Sequence, residues 1–396
     1  MDALEQFRQE TRQWLEQNCP ESQRKPSSRS EQVWAGRKRQ FPSEDARLWF
    51  ERMRDRGWTV PEWPKEYGGG GLSPAEAKIL DQEMKRLGCR KPLYDLGIWM
   101  LGPALLEFGT EQQKQQHIRA IARGEIRWCQ GYSEPGAGSD LASLQTKAED
   151  KGDHFLVNGS KIWTTSADKA DWIFCLVRTD PTAKKQEGIS FLLIDMDNPG
   201  VSVRPIELIS GDSEFCQTFF DNVKVPKENL VGPLNQGWSV AKALLKHERK
   251  LMSEIGGETG GPRISTVQAA QHYVGQNADG KLRDPVLRDQ LAAHEMRFRA
   301  IGLTHFRSFE EKINGVADPN VPLIMKYLGT EEQKRKSELM MALLGSQALG
   351  WEGAGFNEDE LLVTRGWAMD KSLTIAGGTS EVQLNIIAKR VLGLPD

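Results

Sequence analysis

The chain has 396 residues, of which 38% are hydrophobic and 27% are charged, as in ordinary globular proteins of two or three domains. A formal net charge of −3, with only short basic runs at 37–39 and 246–250, excludes the broad basic surface typical of nucleic-acid binding. The five cysteines form no CxxC pair and the six histidines no HxxxH or HExxH arrangement, so we predict neither a disulfide framework nor a metal site. No stretch approaches the length of an apolar membrane span, and residues 1–18 lack the apolar core of a signal peptide, which predicts a cytoplasmic protein.

Helical periodicity dominates the first 125 residues. Apolar side chains recur at helical spacing over 3–17 and 45–56, and again over 97–108 and 111–123. The prolines after Trp58 and the glycines at 68–71 interrupt this pattern, and Ser73 followed by proline is a start signal for a further helix. The sequence therefore predicts a mostly helical N-terminal domain over residues 1–125.

Between residues 126 and 232 the pattern changes to short β-rich runs bounded by turn residues, and Asn158-Gly159 predicts a hairpin turn. Helical periodicity returns after Gly237, in runs over 239–253, 285–313, 322–349 and 382–391. We therefore predict an α+β fold, with a β-domain over 126–232 and a C-terminal helical bundle over 233–396. Long helices with few internal prolines also predict an apolar bundle face that can contact another subunit.

The stretch from Gln130 to Asp140 reads Gln-Gly-Tyr-Ser-Glu-Pro-Gly-Ala-Gly-Ser-Asp and follows a predicted short strand. Pro135, Gly136 and Gly138 predict a tight irregular turn whose small residues let backbone N–H groups approach a ligand closely. A turn of this composition is also common as a plain connection between elements. The composition of the turn therefore leaves both interpretations open.

Five segments spread over nearly the whole chain form a recognisable pattern. They are Trp58-Thr-Val-Pro-Glu-Trp-Pro-Lys-Glu-Tyr-Gly-Gly, Tyr132-Ser-Glu-Pro-Gly-Ala-Gly-Ser-Asp, Val157-Asn-Gly-Ser-Lys-Ile-Trp-Thr-Thr-Ser-Ala, Asp221-Asn-Val-Lys-Val-Pro and Gly377-Gly-Thr-Ser-Glu-Val-Gln. In this order and spacing they resemble the acyl-CoA dehydrogenase family of FAD-dependent enzymes. The resemblance implies an N-terminal helical domain, a middle β-barrel or sandwich and a C-terminal four-helix bundle. It also implies conversion of an acyl-CoA thioester to the trans-2-enoyl-CoA.

The same resemblance implies FAD as cofactor, and it distributes the cofactor contacts over two parts of the chain. The loop and the strand after it supply Gln130, Tyr132, Ser133, Trp163, Thr164 and Thr165. In the C-terminal part, Gln347, Gly350 and Trp351 are expected at the FAD of a neighbouring subunit, and Thr379 with Glu381 near the adenosine part. The implied partners are the acyl-CoA substrate, an electron-transfer flavoprotein as electron acceptor, and further subunits in a homo- or hetero-oligomeric dimer or tetramer.

The catalytic base is expected to be Glu248. Abstraction of a proton next to a thioester requires a desolvated carboxylate and donors on the carbonyl oxygen. In the commonest branch of the family the base precedes the Gly-Thr-Ser of the C-terminal motif, but that position is Gly377 here. A branch resembling isovaleryl-CoA and long-chain acyl-CoA dehydrogenases instead places Glu before Arg on the first helix after the β-domain, which corresponds to Glu248 and Arg249.

The resemblance also implies the residues that contact the substrate. Ser139 is expected beside the CoA portion, and Arg249 near the base or the thioester. The backbone N–H of Gly377, with Gly378 beside it, is expected to donate to the thioester carbonyl. These four positions complete the predicted site.

Two departures from the family pattern keep other functions open. Tyr132 replaces a small aliphatic residue, and the Arg-x-x-Phe-Gly segment that grips a neighbour's FAD is missing near Gly275. Such divergence resembles members that act on unusual thioesters, including sterol side chains, and some of these work as paired non-identical subunits. The alternatives are a flavin oxidase or monooxygenase on the same fold, and a non-catalytic partner subunit without FAD.

Overall fold

The computed structural model describes residues 3–25, 27, 29–244 and 264–395. The chain divides into two units, Met1–Ile206 with Glu214–Glu248, and Glu207–Ser213 with Arg249–Asp396. The first unit contains helices and a sheet, and the second contains helices. None of the helices in the described ranges combines the length and the apolar character needed to cross a membrane.

The helices of the first unit begin where the sequence supplies capping side chains. Ser43 and Ser73 accept hydrogen bonds from the first turns of their helices, and Thr110 forms a capping box with Gln113. The helices are Ala3–Asn18, Glu44–Asp55, Pro74–Leu87, Gly102–Phe108 after a π-helical turn at Gly97–Leu101, the consecutive segments Glu111–Gln113, Lys114–Ile118 and Arg119–Ala122, and a helical run described over 237–244. The predicted helical start of the chain is confirmed.

Eight strands form one sheet in the described part of the first unit. They are β1 (Trp128–Gly131), β2 (Lys147–Asp150), β3 (His154–Thr165), β4 (Trp172–Arg178), β5 (Ile189–Asp195), β6 (Val201–Ile206), β7 (Phe215–Pro226) and β8 (Leu230–Val231). The order is β6-β7-β3-β2-β4-β5-β8, with β1 beside β4. The pairs of β4 with β1 and β2 are parallel, and the other pairs are antiparallel.

Both faces of the sheet centre are buried, which explains its continuous apolar strands. On β4, Phe174 and Leu176 pack with the N-terminal helices, while Ile173, Cys175 and Val177 pack into a second cluster on the opposite face. The alternation of side chains along a strand sends neighbouring residues to opposite faces. The sheet is therefore the rigid layer from which the loop after β1 projects.

The predicted hairpin turn at Asn158-Gly159 is wrong, because both residues lie inside the long strand β3. The register of β3 against β7 shifts between Val157 and Gly159, so the glycine marks a β-bulge. The φ angle of Gly159 is +148°, and a Cβ there would lie 2.7 Å from the Thr146 Cα. Close backbone approach, and not chain reversal, is the reason for glycine at this position.

The second unit is built from helices that pack around Ala269, Leu339, Met340, Leu343 and Val363. Its helices are Thr266–Ala269 with a π-helical continuation Ala270–Val274, Pro285–Ile313, Val321–Leu344, Glu358–Asp370, and Ser380–Ile386 continued by Ile387–Val391. The helix at Glu358–Asp370 was not predicted, since its apolar residues follow no clear helical face. The helix–sheet–helix order and the α+β class are confirmed, while the domain boundaries at 125 and 232 stay predictions.

Candidate functional site

The stretch from Gln130 to Asp140 begins on the last two residues of β1 and then closes into a tight turn. The N–H of Glu134 donates to the carbonyl of Ala137 at 3.1 Å, and the N–H of Ala137 donates back at 3.0 Å. This reciprocal pair fixes the turn and leaves Pro135 and Gly136 exposed at its tip. The predicted tight turn is therefore present, and it begins on a paired strand.

Gly136 and Gly138 are not required by the fold of the chain itself. Neither residue has a left-handed φ angle, and no described atom lies within 4 Å of the place where a Cβ would be. Glycine here keeps open the space in front of an exposed backbone. The loop therefore offers uncovered backbone to a molecule outside the chain.

A buried ion pair joins this loop to β3. The Lys161 side chain has no exposed surface, and its Nζ donates to Glu134 Oε1 at 2.8 Å and to the Tyr132 carbonyl at 3.1 Å. Glu134 also accepts the N–H groups of Gln145 at 2.7 Å and Thr146 at 2.8 Å. The loop after β1 and the strand β3 are thus held together.

The environment of Glu134 keeps its carboxyl group ionised. Burial opposes the charged form, but the Lys161 ammonium and the donors of Thr146 and Gln145 outweigh it, so the pKa of Glu134 is lowered. The sequence analysis missed both members of the pair. The available signal was a lysine within a β-rich run, because a buried lysine requires a partner.

Backbone bonding also places Ser133 beside the middle of β3. The N–H of Ile162 donates to the Ser133 carbonyl at 2.9 Å. Ser133 is half-buried, and Gln130 is half-buried on β1 opposite Phe174 of β4. The structure thus brings the predicted loop residues next to the predicted residues of the strand.

The ring of Tyr132 packs inside the first unit. It makes edge-on contacts with Phe174, at a centroid distance of 6.2 Å, and with Phe191, at 6.4 Å. These contacts explain how the loop accommodates a bulky residue at this position. A contact of Tyr132 with a cofactor stays a prediction.

Trp163 adopts an unusual backbone conformation at a second bulge of β3. The register against β7 shifts between Lys161 and Thr164, and the φ angle of Trp163 is +61°. The residue is 52% exposed, and its ring contacts Phe215 edge-on at a centroid distance of 6.1 Å. A bulky side chain in the left-handed region is a strained arrangement, and such strain is concentrated at functional sites.

The two threonines after Trp163 have different surroundings. Thr164 is fully buried, and its Oγ1 lies 2.8 Å from the Cys216 carbonyl and 2.8 Å from Thr218 Oγ1. Its hydroxyl is thereby directed into the sheet and not towards the exposed side of the bulge. Thr165 is half-buried opposite Phe215, so its hydroxyl is the better candidate for a cofactor contact.

In the second unit, Gln347 lies on a short helical turn, Gly345–Leu349. Its Oε1 is buried and has no hydrogen-bond partner within the described chain. A Cβ on Gly350 would lie 2.4 Å from the ring of Phe356, so this position requires glycine. Trp351 is exposed, and the guanidinium of Arg365 lies 5.4 Å from its ring centroid.

The C-terminal motif forms a turn and a helix start. Gly377 and Gly378 have left-handed φ angles of +63° and +92°, and Lys326 Nζ donates to the Gly378 carbonyl at 2.6 Å. Thr379 caps the following helix by accepting the N–H of Val382 at 3.2 Å. The exposed Glu381 lies in the first turn, where bonding to backbone and to Thr379 lowers the pKa of its carboxyl.

The other predicted site residues are Ser139, Glu248 and Arg249. Ser139 is exposed at the end of the loop, next to Asp140, whose carboxylate pairs with Lys185 at 2.6 Å. Glu248 and Arg249 lie outside the described residues, so their roles stay predictions. Within the described ranges, no group of three or more His, Cys, Asp or Glu side chains could hold a metal ion.

Domain families and known proteins match nearly the whole chain. Models described as "Acyl-CoA dehydrogenase, N-terminal domain", "middle domain" and "C-terminal domain" match residues 1–125, 129–223 and 235–392. Acyl-CoA dehydrogenase IpdE1 of Mycobacterium tuberculosis is 35% identical, and the match covers 100% of this chain and 99% of the relative. The chain belongs to the acyl-CoA dehydrogenase family.

Solved structures of this family have the same fold. The Tcur3481-Tcur3483 steroid ACAD superposes with a TM-score of 0.75 at 31% identity, covering 100% of this chain and 98% of the other. The ChsE4-ChsE5 complex from Mycobacterium tuberculosis gives a TM-score of 0.74 at 28% identity, with 100% and 98% coverage. The predicted family, fold class and enzyme class are confirmed, and this acyl-CoA dehydrogenase is an oxidoreductase acting on acyl-CoA.

Each unit of the dehydrogenase has a feature that fits FAD, the general cofactor of the family. In the first unit, the exposed Trp163 on strained backbone directly follows Ile162, whose N–H bonds to the loop at Ser133. In the second unit, the buried Gln347 oxygen has no described partner and is suited to accept a hydrogen bond from a ligand. The individual cofactor contacts stay predictions.

Proposed function

We propose that the chain catalyses FAD-dependent α,β-dehydrogenation of an acyl-CoA thioester to the trans-2-enoyl-CoA. The observation that carries the proposal is the joining of loop and bulge, in which Lys161 and Ile162 bond to the backbone of Tyr132 and Ser133. This bonding aligns Ser133, Trp163 and Thr165 on adjacent backbone segments. When bound, FAD supplies the acceptor for the hydride that leaves the β carbon.

The residues of the chain would bind the thioester and move one proton. Glu248 is proposed as the base that takes the α proton, with Arg249 orienting the base or the thioester. The N–H of Gly377 is proposed to donate to the thioester carbonyl, and Ser139 to contact the CoA portion. The position that carries the base in the commonest branch of the family is Gly377 here, and a carboxylate is present at Glu248 instead. These two differences together support the assignment.

We further propose a bulky, ring-bearing acyl group as the substrate class and a hetero-oligomer as the working assembly. A solved structure of 31% identity is named the Tcur3481-Tcur3483 steroid ACAD, and another is named the ChsE4-ChsE5 complex. Each of these names combines two different proteins. Gln347, Gly350 and Trp351 are proposed to face the FAD of another subunit, and Thr379 with Glu381 to lie near the adenosine part of FAD. An electron-transfer flavoprotein is the proposed electron acceptor.

Anaerobic bleaching of the flavin by acyl-CoA thioesters tests the dehydrogenase proposal. The purified protein is expected to be yellow, and a steroid-side-chain thioester is expected to bleach it faster than a straight-chain thioester. Glu248→Gln should keep the flavin but bleach at least about a hundredfold more slowly, because a positioned base contributes that much. The matched control is Glu254→Gln, at a glutamate six positions further along the chain, and this variant should bleach at the wild-type rate.

Other outcomes would favour the remaining candidates. Unchanged bleaching by Glu248→Gln would refute the base assignment. Hydrogen peroxide formed stoichiometrically with product in air would favour an oxidase. A colourless protein that activates a second, flavin-containing subunit would favour a non-catalytic partner, the second candidate that the two-protein names of the relatives support.

A further inference from the structure

Trp163 is unusual among the residues with a left-handed backbone. The non-glycine residues with positive φ angles in the described chain are Trp163, Ser166, Asn222 and Asn235. Asparagine tolerates this conformation because its side chain can bond locally, whereas a bulky aromatic side chain is penalised. The conformation of Trp163 must therefore be imposed by its neighbours.

Two buried side chains hold the bulge on either side of Trp163. Before it, Lys161 is anchored to Glu134 and to the Tyr132 carbonyl. After it, Thr164 Oγ1 donates to the Cys216 carbonyl at 2.8 Å and shares a hydrogen bond with Thr218 Oγ1. Both anchors point away from the exposed face of the strand, so the intervening Trp163 is turned outward.

We propose that Lys161 and Thr164 are positioning residues that clamp the bulge and hold Trp163 in its left-handed, outward-facing conformation. The clamp pre-forms the wall against which the flavin binds, and this part of the inference rests on the proposed function. Thr164 thus acts through Trp163 and not by touching the cofactor. In this proposal Thr164 supports the scaffold, and the hydroxyl expected near the flavin is that of the neighbouring Thr165.

The bonding of Thr164 alone does not separate this role from that of an ordinary buried hydroxyl. Ser190 provides the comparison, since it is also fully buried in the sheet, accepts the N–H of Asn235 at 2.9 Å and bonds Thr179 at 2.7 Å. Loss of either hydroxyl should lower stability, because buried partners are left unsatisfied. Only loss of the Thr164 hydroxyl should change the conformation of Trp163.

A double-mutant cycle on stability tests the clamp without reference to any cofactor. Trp163→Asn and Trp163→Val both remove the indole, but only asparagine tolerates a left-handed backbone. Trp163→Asn is therefore expected to unfold at a higher urea concentration than Trp163→Val. In a Thr164→Val background this difference should fall by at least half, because the bulge can relax. A difference that is unchanged in that background would overturn the clamp.

Flavin release, followed by the rise in free-flavin fluorescence, tests the link to the cofactor. Thr164→Val should release flavin about tenfold faster than the wild type, whereas Thr164→Ser, which keeps the hydroxyl, should restore the wild-type rate. Ser190→Ala should lower the unfolding midpoint but leave release unchanged. Equal release rates for Thr164→Val and Ser190→Ala would overturn the positioning role. A colourless wild type would instead refute the proposed function. The double-mutant cycle on stability would still test whether Thr164 holds Trp163 in its conformation.

Discussion

Substitution of Glu134 by glutamine is expected to destabilise the first unit strongly. The change leaves the Lys161 ammonium, which has no exposed surface, without an anionic partner. It also replaces one of the two carboxylate oxygens by an amide nitrogen. In the variant this NH2 group, itself a donor, would face a backbone N–H that donates to Glu134 in the wild type. Breaking a buried ion pair by removing one partner costs roughly 3–5 kcal/mol, and the acceptor that glutamine retains places this case near about 3 kcal/mol.

Thermal unfolding of purified variants measures the effect. A loss of about 3 kcal/mol corresponds to a decrease in Tm of roughly 6–12 °C for a unit of this size. Lys161→Met should also destabilise, but less, because Glu134 keeps its two backbone donors. The double variant should recover part of the loss, since neither charge is then left unpaired.

The pH dependence gives a second measure of the same pair. The pKa of Glu134 is lowered in the folded chain, so its contribution to stability is present above the unfolded pKa and is lost as the pH falls through the folded pKa. The stability difference between the wild type and Glu134→Gln should therefore be largest near neutral pH and shrink in acid. A Tm loss below about 2 °C, or simple additivity of the two single variants, would refute the reasoning.

Three further substitutions test individual contacts by urea unfolding. Glu83→Gln should lower the free energy of unfolding by about 1–2 kcal/mol at neutral pH, because Arg12, Arg86 and Arg8 lower the pKa of Glu83 to about 2 and the partly exposed Arg12 is screened by solvent. The stability that the ionised Glu83 contributes is present above about pH 4.5 and should vanish near pH 2. A loss that does not depend on pH would contradict this prediction. Gly350→Ala should destabilise by about 1–3 kcal/mol through its clash with the Phe356 ring, and a neutral effect would show that the ring moves freely. Thr379→Ala should lose about 1 kcal/mol of helix capping that Thr379→Ser retains, and equal stability of the two variants would exclude the cap.

Local signals predicted the helices well. The start at Pro74 follows from Ser73 and Glu76, which form a capping box within one turn, and the run over 285–313 coincides with the observed helix Pro285–Ile313. These interactions join residues three or four positions apart, so a sequence window contains both partners. The tight turn after β1 was predicted for the same reason, from glycine and proline alone.

Long-range pairing decides features that a short stretch of sequence does not show. Asn158-Gly159 resembles a hairpin turn locally, but pairing of β3 with β7, some sixty positions along the chain, makes it a bulge. Thr164 carries a motif hydroxyl, yet its direction depends on Cys216 and Thr218 of the same partner strand. Pairing with the partner strand determines on which face of the sheet a side chain lies, and a register shift of one residue moves that side chain to the opposite face.

The family, the α+β order of helices and sheet, and the types of residue available for acyl-CoA chemistry can all be predicted from the amino-acid sequence. Motifs, caps and periodicity carry this information because they depend on neighbours in the chain. The folded chain adds that Lys161 and Glu134, separated by 27 positions, form a buried pair, and that Trp163 is turned outward on a strained bulge. Such features arise where two strands and a loop meet, and their energies depend on burial and register, which no local pattern specifies.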